Sequence, residues 1–234
     1  MLSELQKRLK DQSCLILAYD HLESTQSLAR EYACCGAPEG TVILAGSQSQ
    51  GTGQQGRSFF SPPGTGLYMS LILRPRFSPE AGRFITTTAA VAAAQAIEAL
   101  SPCSVSVKWV NDLITDGRKT GGILTDTSLS PDSSRMMWAV LGMGINIVPP
   151  QTGFPEELTE SAGSIFQKNS FDAENSLEEY RDQLTAEILE RFLTAYRKYP
   201  VDVCSSEYKR RLLDAGELEK YMKRKNNHEK TDDQ

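Results

Sequence analysis

Along this chain, short apolar runs bounded by turn residues alternate with longer stretches of helical periodicity. Cys14–Tyr19 and Thr41–Ala45 are strand-length and mostly apolar, the pattern of buried strands. Between them, Ser24 and Thr25 offer capping oxygens and predict a helix over Gln26–Ala33. Gly36-Ala37-Pro38-Glu39-Gly40 reads as the loop leading into the second strand. Leu67–Leu73 is a third strand, closed off by Pro75 and Pro79, and the Ala-rich run Ala81–Leu100 predicts a long, mostly buried helix. Four strands follow, at Ser104–Trp109, Leu113–Thr115, Thr120–Asp126 and Arg135–Ile147. Their turns fall at Asp116-Gly117 and Ser130-Pro131-Asp132-Ser133. Pro149 to Gly163 is a loop. Leu177–Tyr199 is an amphipathic helix, apolar at Leu184, Ile188, Leu189, Phe192 and Tyr196, and stopped by Pro200. Val201–Gln234 predicts one more helix, around Tyr208–Leu213, and then a polar tail.

Strands clustered between helices imply an α+β domain: a mainly antiparallel, mixed sheet with helices packed on one side. One main domain is expected over residues 1–200, with residues 201–234 as a helical and polar tail. With 39% hydrophobic and 24% charged residues the composition is that of an ordinary globular protein. A net charge of -5 gives no general attraction to nucleic-acid phosphates. The longest apolar runs, Ala89–Leu100 and Met136–Val148, fall short of the roughly 20 residues that span a bilayer. No apolar core of a signal peptide follows Met1, so a cytoplasmic location is expected. The five cysteines show no CxxC spacing and only two histidines are present, so reduced thiols and no protein-held metal are expected.

Candidate chemistry concentrates in three places. Gly51-Thr52-Gly53-Gln54-Gln55-Gly56 fits G-x-G-x-x-G literally, but Arg57-Ser58-Phe59-Phe60-Ser61-Pro62-Pro63 cannot open the helix that a dinucleotide-binding turn requires. A surface loop is one reading; a Gly-rich cover over a phosphate-bearing ligand, with backbone N–H groups and Arg57 as donors, is the other. Lys108-Trp109-Val110-Asn111-Asp112-Leu113 and Gly117-Arg118-Lys119-Thr120-Gly121-Gly122-Ile123-Leu124 bring cations, amides and bare backbone together, as a site for an anion requires.

These segments, in this order, resemble the catalytic domain of biotin–protein ligases. The matching stretches are Glu23-Ser24-Thr25-Gln26 (the family usually reads Ser-Thr-Asn), Gln48 to Arg57 with Phe59-Phe60-Ser61-Pro62, and Leu67-Tyr68-Met69-Ser70. Lys108 to Asp112, Arg118 to Leu124 and Gly142-Met143-Gly144-Ile145-Asn146 complete the set. The likeness covers roughly residues 13–200. It implies a class II synthetase-like fold and a two-step reaction. Biotin and MgATP give biotinyl-5′-adenylate, and a lysine of the biotin carboxyl carrier domain of acetyl-CoA carboxylase then takes the biotin. On this resemblance Ser24, Thr25, Gln26 and Gln48 face the ureido ring, and Gly121 and Gly122 let the backbone approach biotin. Lys119 bridges carboxylate and α-phosphate, with Lys108 in the same field, and Asp112 lies near the incoming amine. Asn111 and Phe59 match adenine contacts, Asn146 a contact to phosphates or ribose. The loop Gly51, Thr52, Gly53, Gln54, Gln55, Gly56 and Arg57 matches the adenylate cover. Mg²⁺ is implied only with ATP, and dimerisation through sheet edges is a family habit.

The chain departs from that pattern in three respects. The family loop reads close to G-R-G-R-x-x-R; here Thr52 and Gln54 replace two arginines and Arg57 remains. Weaker retention of the adenylate is expected, with Arg74, Arg76 and Arg118 as candidate compensators. No helix-turn-helix is read before residue 13, so specific DNA binding is not expected. Val201–Gln234 lacks the strand alternation of the family's C-terminal β-barrel. Two other readings stand beside the ligase. A lipoate or octanoate transfer enzyme shares the fold and the lysine but needs an apolar tunnel; a non-catalytic biotin-binding module is the alternative from a different class.

Overall fold

The computed structural model describes residues 2–171, 176–201 and 203–226. After α1 (Leu2–Arg8), β1 (Leu15–Tyr19), α2 (Thr25–Cys34) and β2 (Thr41–Ala45) form a β–α–β unit. β1 and β2 are parallel, pairing from Leu15↔Thr41 to Tyr19↔Ala45, so a crossover helix must join them. Ser24 caps that helix, its side chain accepting from the Ser27 N–H. β3 (Gly66–Leu73) then runs antiparallel to β2, and α3 (Gly82–Leu100) carries the chain across the sheet. β4 (Ser106–Lys108), β5 (Asp112–Thr115), β6 (Arg118–Leu129) and β7 (Met136–Asn146) form a meander whose last strand lies beside β3. The result is a seven-stranded mixed sheet of order β1-β2-β3-β7-β6-β5-β4, antiparallel apart from β1–β2.

The mixed, mainly antiparallel sheet agrees with the sequence reading. β6 is longer than expected because β7 pairs with it from Gly121↔Ile145 to Leu129↔Met136. The Asp116-Gly117 turn has both residues at positive φ, 50° and 72°, which suits a tight hairpin and the residue types found there.

Alternation along the central strands sorts side chains to two faces. Val42, Leu71, Leu73, Ala139, Leu141 and Met143 join the main core under α3 and α4 (Leu177–Tyr196). Ile43, Ile72 and Val140 point the other way, against Ala29 and Ala33 of α2. Most helices therefore share one face, as expected, while α2 packs on the other. On α4, Leu184, Ile188, Leu189 and Phe192 are fully enclosed. Burying each such side chain stabilises by about 1.5–3 kcal/mol, so packing rather than intrinsic propensity holds this helix. α4 ends at Tyr196, short of the expected Tyr199, since residues just before Pro200 disfavour helical backbone.

The C-terminal region differs from expectation. α5 (Ser205–Arg211) is the helix foreseen there, but a second helix, α6 (Ala215–Asn226), occupies what was read as polar tail. Its start is a reciprocal cap: Asp214 Oδ1 accepts from the Glu217 N–H, and Glu217 Oε2 accepts from the Asp214 N–H. Tyr221 anchors it, 5% exposed. Residues 227–234 of the expected tail lie outside the described residues. Among the described residues no helix is long and apolar enough to cross a membrane.

Candidate functional site

The α2 face of the sheet is only half covered. Where α2 begins, the strand residues on that face become small. Ser70 of β3 pairs with Gly142 of β7, and Gly122 of β6 pairs with Gly144. Alternation fixes this: these residues share a face with Ile72 and Val140, two and four positions along. The missing side chains leave a cavity walled by the start of α2 (Ser24, Thr25, Gln26), by Gln48, and by Thr52, Gly53 and Gln54 of the Gly-rich loop.

One end of the cavity is a polar network. Gln26 is 3% exposed. Its amide nitrogen donates to Asp126 Oδ2 at 3.0 Å and to the Val140 carbonyl at 3.1 Å. Its Oε1 accepts from Ser70 Oγ, also 3.0 Å from Thr25 Oγ1. Gln48 Oε1 accepts from the Thr25 N–H and hydroxyl, and its amide nitrogen donates to Ser61 Oγ. Enclosed polar groups without such partners would carry an uncompensated desolvation cost.

At the other end lies Lys119. Its Nζ is 2.7 Å from Asp112 Oδ1, and about 3.5 Å from where a Cβ on Gly122 would sit. Lys119 and Gly122 are three apart in sequence, so strict alternation would separate them. A β-bulge opposite Leu113 and Ile114 absorbs the extra residue and turns Lys119 onto the cavity face. Lys119 and Phe59 also line a second, more apolar cavity with Phe60, Asn146, Phe154, Leu158 and Ala162. Its outer wall belongs to the loop before Gly163, which pairs with Lys119 in both directions. Lys119 N–H donates to Ser161 O, and Gly163 N–H donates to Lys119 O, each at 2.8 Å. The Phe59 ring separates the two cavities. It lies over Gly144, where a Cβ would come within 2.6 Å of the ring, and meets Tyr68 edge-on at 6.4 Å.

The Gly-rich loop is folded as a small hairpin: Gly53 N–H donates to Arg57 O and Phe59 N–H to Gly51 O, both at 2.7 Å. Gln54–Gly56 forms a single 3₁₀ turn and extended backbone follows at Arg57, so this loop does not open the helix that a dinucleotide-binding turn requires. Thr52, Gly53 and Gln54 reach the cavity. Gln55, Gly56 and Arg57 are exposed, Arg57 bonding Gln55 Oε1 at 2.9 Å. Arg74 is spent on the carbonyls of Ala33, Ala37 and Met137. It shares a separate groove with Arg76, while Arg118 bonds Thr159 O. None of the three lines either cavity, so they do not replace the missing loop arginines.

Of the other expected residues, Asn111 lines the first cavity and donates to Ile123 O at 2.8 Å, and Asn146 lines the second and donates to Gly163 O at 2.9 Å. Gly121 faces away from the cavity; a Cβ there would meet Gly144 O at 2.9 Å and Leu113 at 3.2 Å. Lys108 stands off the cavity, its ammonium 4.4 Å from the centre of the Tyr221 ring. Burial pushes the Tyr221 phenol up to about 12, with Asp112 adding to the shift and Arg57 opposing it.

Sequence reasoning gave Ser70 no role although it stood in a matched stretch, and missed Asp126, the apolar wall of Phe154, Leu158 and Ala162, and the support given by α5 and α6. Tyr208 hydroxyl donates to Val110 O, Arg211 to Val105 O, and Leu213 N–H to Val107 O, so the C-terminal helices brace the segment bearing Lys108 and Asp112. The helical cap Asp214-Ala215-Gly216-Glu217 was a readable signal for α6. No local pattern announces a long-range brace.

Residues 20–146 match the family described as "Biotin/lipoate A/B protein ligase family". The bifunctional ligase/repressor BirA of Bacillus subtilis (strain 168) is 40% identical over 152 residues, 65% of this chain and 46% of that protein. The biotin–[acetyl-CoA-carboxylase] ligase of Mycobacterium tuberculosis is 28% identical over 131 residues, 54% of this chain and 45% of that protein. The chain thus spans about half the length of these relatives. Among solved structures, a biotin protein ligase from Aquifex aeolicus in complex with biotin and ATP superposes with a TM-score of 0.61. It is 25% identical, over 79% of this chain and 71% of that one.

Proposed function

Because the chain belongs to the biotin/lipoate A/B protein ligase family, we propose that it activates biotin with ATP and transfers it to a carrier-protein lysine. The observation that carries this reading is the position of Lys119, at the junction of a cavity with a polar end and a second, apolar cavity. A carboxylic acid whose ring lies in the first would place its carboxylate beside a nucleotide whose base lies in the second.

The first step joins them. A biotin carboxylate oxygen attacks the α-phosphorus of ATP, the bond to the β-phosphate oxygen breaks, and pyrophosphate leaves with the electron pair. Negative charge gathers on the phosphoryl oxygens, and Lys119 Nζ, released from Asp112, neutralises it. In the second step the acceptor amine attacks the acyl carbon, AMP leaves, and Asp112 takes the proton from the attacking nitrogen. Gln54, Thr52 and the loop backbone cover the adenylate. Phe59 and Asn146 meet the nucleotide; Asn111, matched by resemblance to an adenine contact, lines the first cavity instead and so sits nearer the acyl end. Mg²⁺ would arrive with ATP as its counter-ion; among the described residues no cluster of three or more acidic, Cys or His side chains could hold a metal. The acceptor proposed is the biotin carboxyl carrier domain of acetyl-CoA carboxylase.

The test is incorporation of labelled biotin into a carrier domain, with lipoate as competitor. ATP-dependent transfer indifferent to lipoate supports the reading. Transfer of lipoate instead would place the chain in the lipoyl branch, and tight biotin binding without transfer would make it a binding module.

A further inference from the structure

Asp126 lies outside the matched motifs, yet it touches Gln26, a buried polar side chain of the cavity. It lies on β6, on the same face as Gly122, and its Oδ2 takes an amide proton of Gln26 at 3.0 Å. Arg30 stands on its outer side, 3.5 Å from the same oxygen. The second amide proton of Gln26 goes to Val140 O at 3.1 Å. With both protons taken by acceptors, the Gln26 amide has one orientation. A flip would set Oε1 against a carboxylate and a carbonyl together. Oε1 is therefore held toward Ser70 and the floor at Gly142, where a Cβ would overlap it.

The proton count then gives that end of the cavity a polarity. Ser70 has one hydroxyl proton to serve Thr25 Oγ1 or Gln26 Oε1, each at 3.0 Å. The Thr25 proton goes to Gln48 Oε1 at 3.1 Å. Two hydroxyls and two amide oxygens thus share two hydroxyl protons and one backbone N–H. Lone pairs are in surplus, and a ligand head that brings N–H donors fits where an alkyl or dithiolane head does not.

We propose that Asp126 is a positioning residue that sets ligand selectivity, by locking the Gln26 amide so that its oxygen reads an N–H of a cyclic urea. This rests on the biotin reading above. Asp126 touches no ligand itself; it acts through Gln26.

The test is titration of the purified full chain with biotin, desthiobiotin and octanoate, across wild type, Asp126→Ala, Asp126→Asn, Gln26→Met and the double variant Asp126→Ala/Gln26→Met. Asp126 and Arg30 are partly solvated, with side chains 28% and 44% exposed, so removing the carboxylate strands no enclosed charge. Asp126→Ala is expected to weaken biotin and desthiobiotin, which both carry the urea, by about tenfold, the scale of one lost hydrogen bond to a charged group. Octanoate binding stays unchanged. Asp126→Asn keeps an acceptor for Gln26 and restores most of the loss. In the Gln26→Met background Asp126→Ala costs nothing further; in the otherwise wild-type chain it raises the KM for biotin while kcat for pyrophosphate release does not fall. Wild-type affinity in Asp126→Ala, or an equal loss with and without Gln26, overturns the proposal and leaves the ligase reading standing. A wild-type protein that does not bind biotin overturns both.

Discussion

Replacing Arg211 with Met removes the guanidinium that ties α5 to the sheet edge and to α3. Arg211 makes two 2.7 Å bonds to the Glu98 carboxylate, one of 2.9 Å to Val105 O and one of 2.8 Å to Glu207. Its side chain is 8% exposed, and that of Glu98 is 30% exposed. Removing one partner of a buried ion pair costs about 3–5 kcal/mol. Glu98 keeps some water, so about 2–3 kcal/mol is the better figure. For a chain of this length that lowers the melting temperature by about 4–12 °C. The pH dependence has a definite sign. Hydrogen bonding to Arg211 holds the Glu98 carboxyl below its ordinary value, against the opposing effect of burial. A depressed carboxyl contributes stability that is present above the unfolded value, near 4.3, and is lost as pH falls through the folded value. Thermal melts of wild type and Arg211→Met should therefore differ widely at neutral pH and converge below about pH 4. A neutral-pH gap under about 1 °C would refute the brace, as would a gap that stays constant across the acid limb.

Three further outcomes follow from the geometry. Gly142→Ala displaces Gln26 from its partners, because the new Cβ overlaps Oε1; loss of one or two hydrogen bonds weakens biotin binding by about tenfold or more, read by titration. Tyr221→Leu removes the ring beneath Lys108, while Tyr221→Phe keeps it; transfer to the carrier domain should fall by about two- to fivefold in the first and hold in the second. Gln54→Arg returns a cation to the loop over the cavity and slows release of pre-formed biotinyl-adenylate by about tenfold, seen as slower exchange of labelled adenylate. Adenylate dissociation in the wild type that is already as slow as in a relative with all its loop arginines would remove the reason for that gain.

Most of the fold was legible because its strands are apolar runs with turn residues between them. The Asp116-Gly117 turn and the Ser24 cap carry their geometry in their residue types. The cavity was legible in part: the small residues Gly142 and Gly144 are two apart, the spacing of one strand face. What stayed hidden depends on contacts distant in sequence. Lys119 reaches the cavity face only through a bulge opposite Leu113 and Ile114. Gly121 faces the core by simple alternation with Gly122, so without the bulge Lys119 would face the core with it. Asp126 reads as an ordinary polar strand residue until β6 and α2 are seen to meet. α6 was hidden because its many charged residues outweigh the short cap that starts it.

The measurement that bears most directly on the central claim is biotin-dependent exchange of pyrophosphate into ATP, in wild type and in Lys119→Ala. Exchange in the wild type that falls by about a hundredfold or more in the variant, with biotin still bound, would place Lys119 where charge develops between carboxylate and phosphate. Exchange undiminished in Lys119→Ala would contradict the account, because the junction between the two cavities would then have no part in joining their contents.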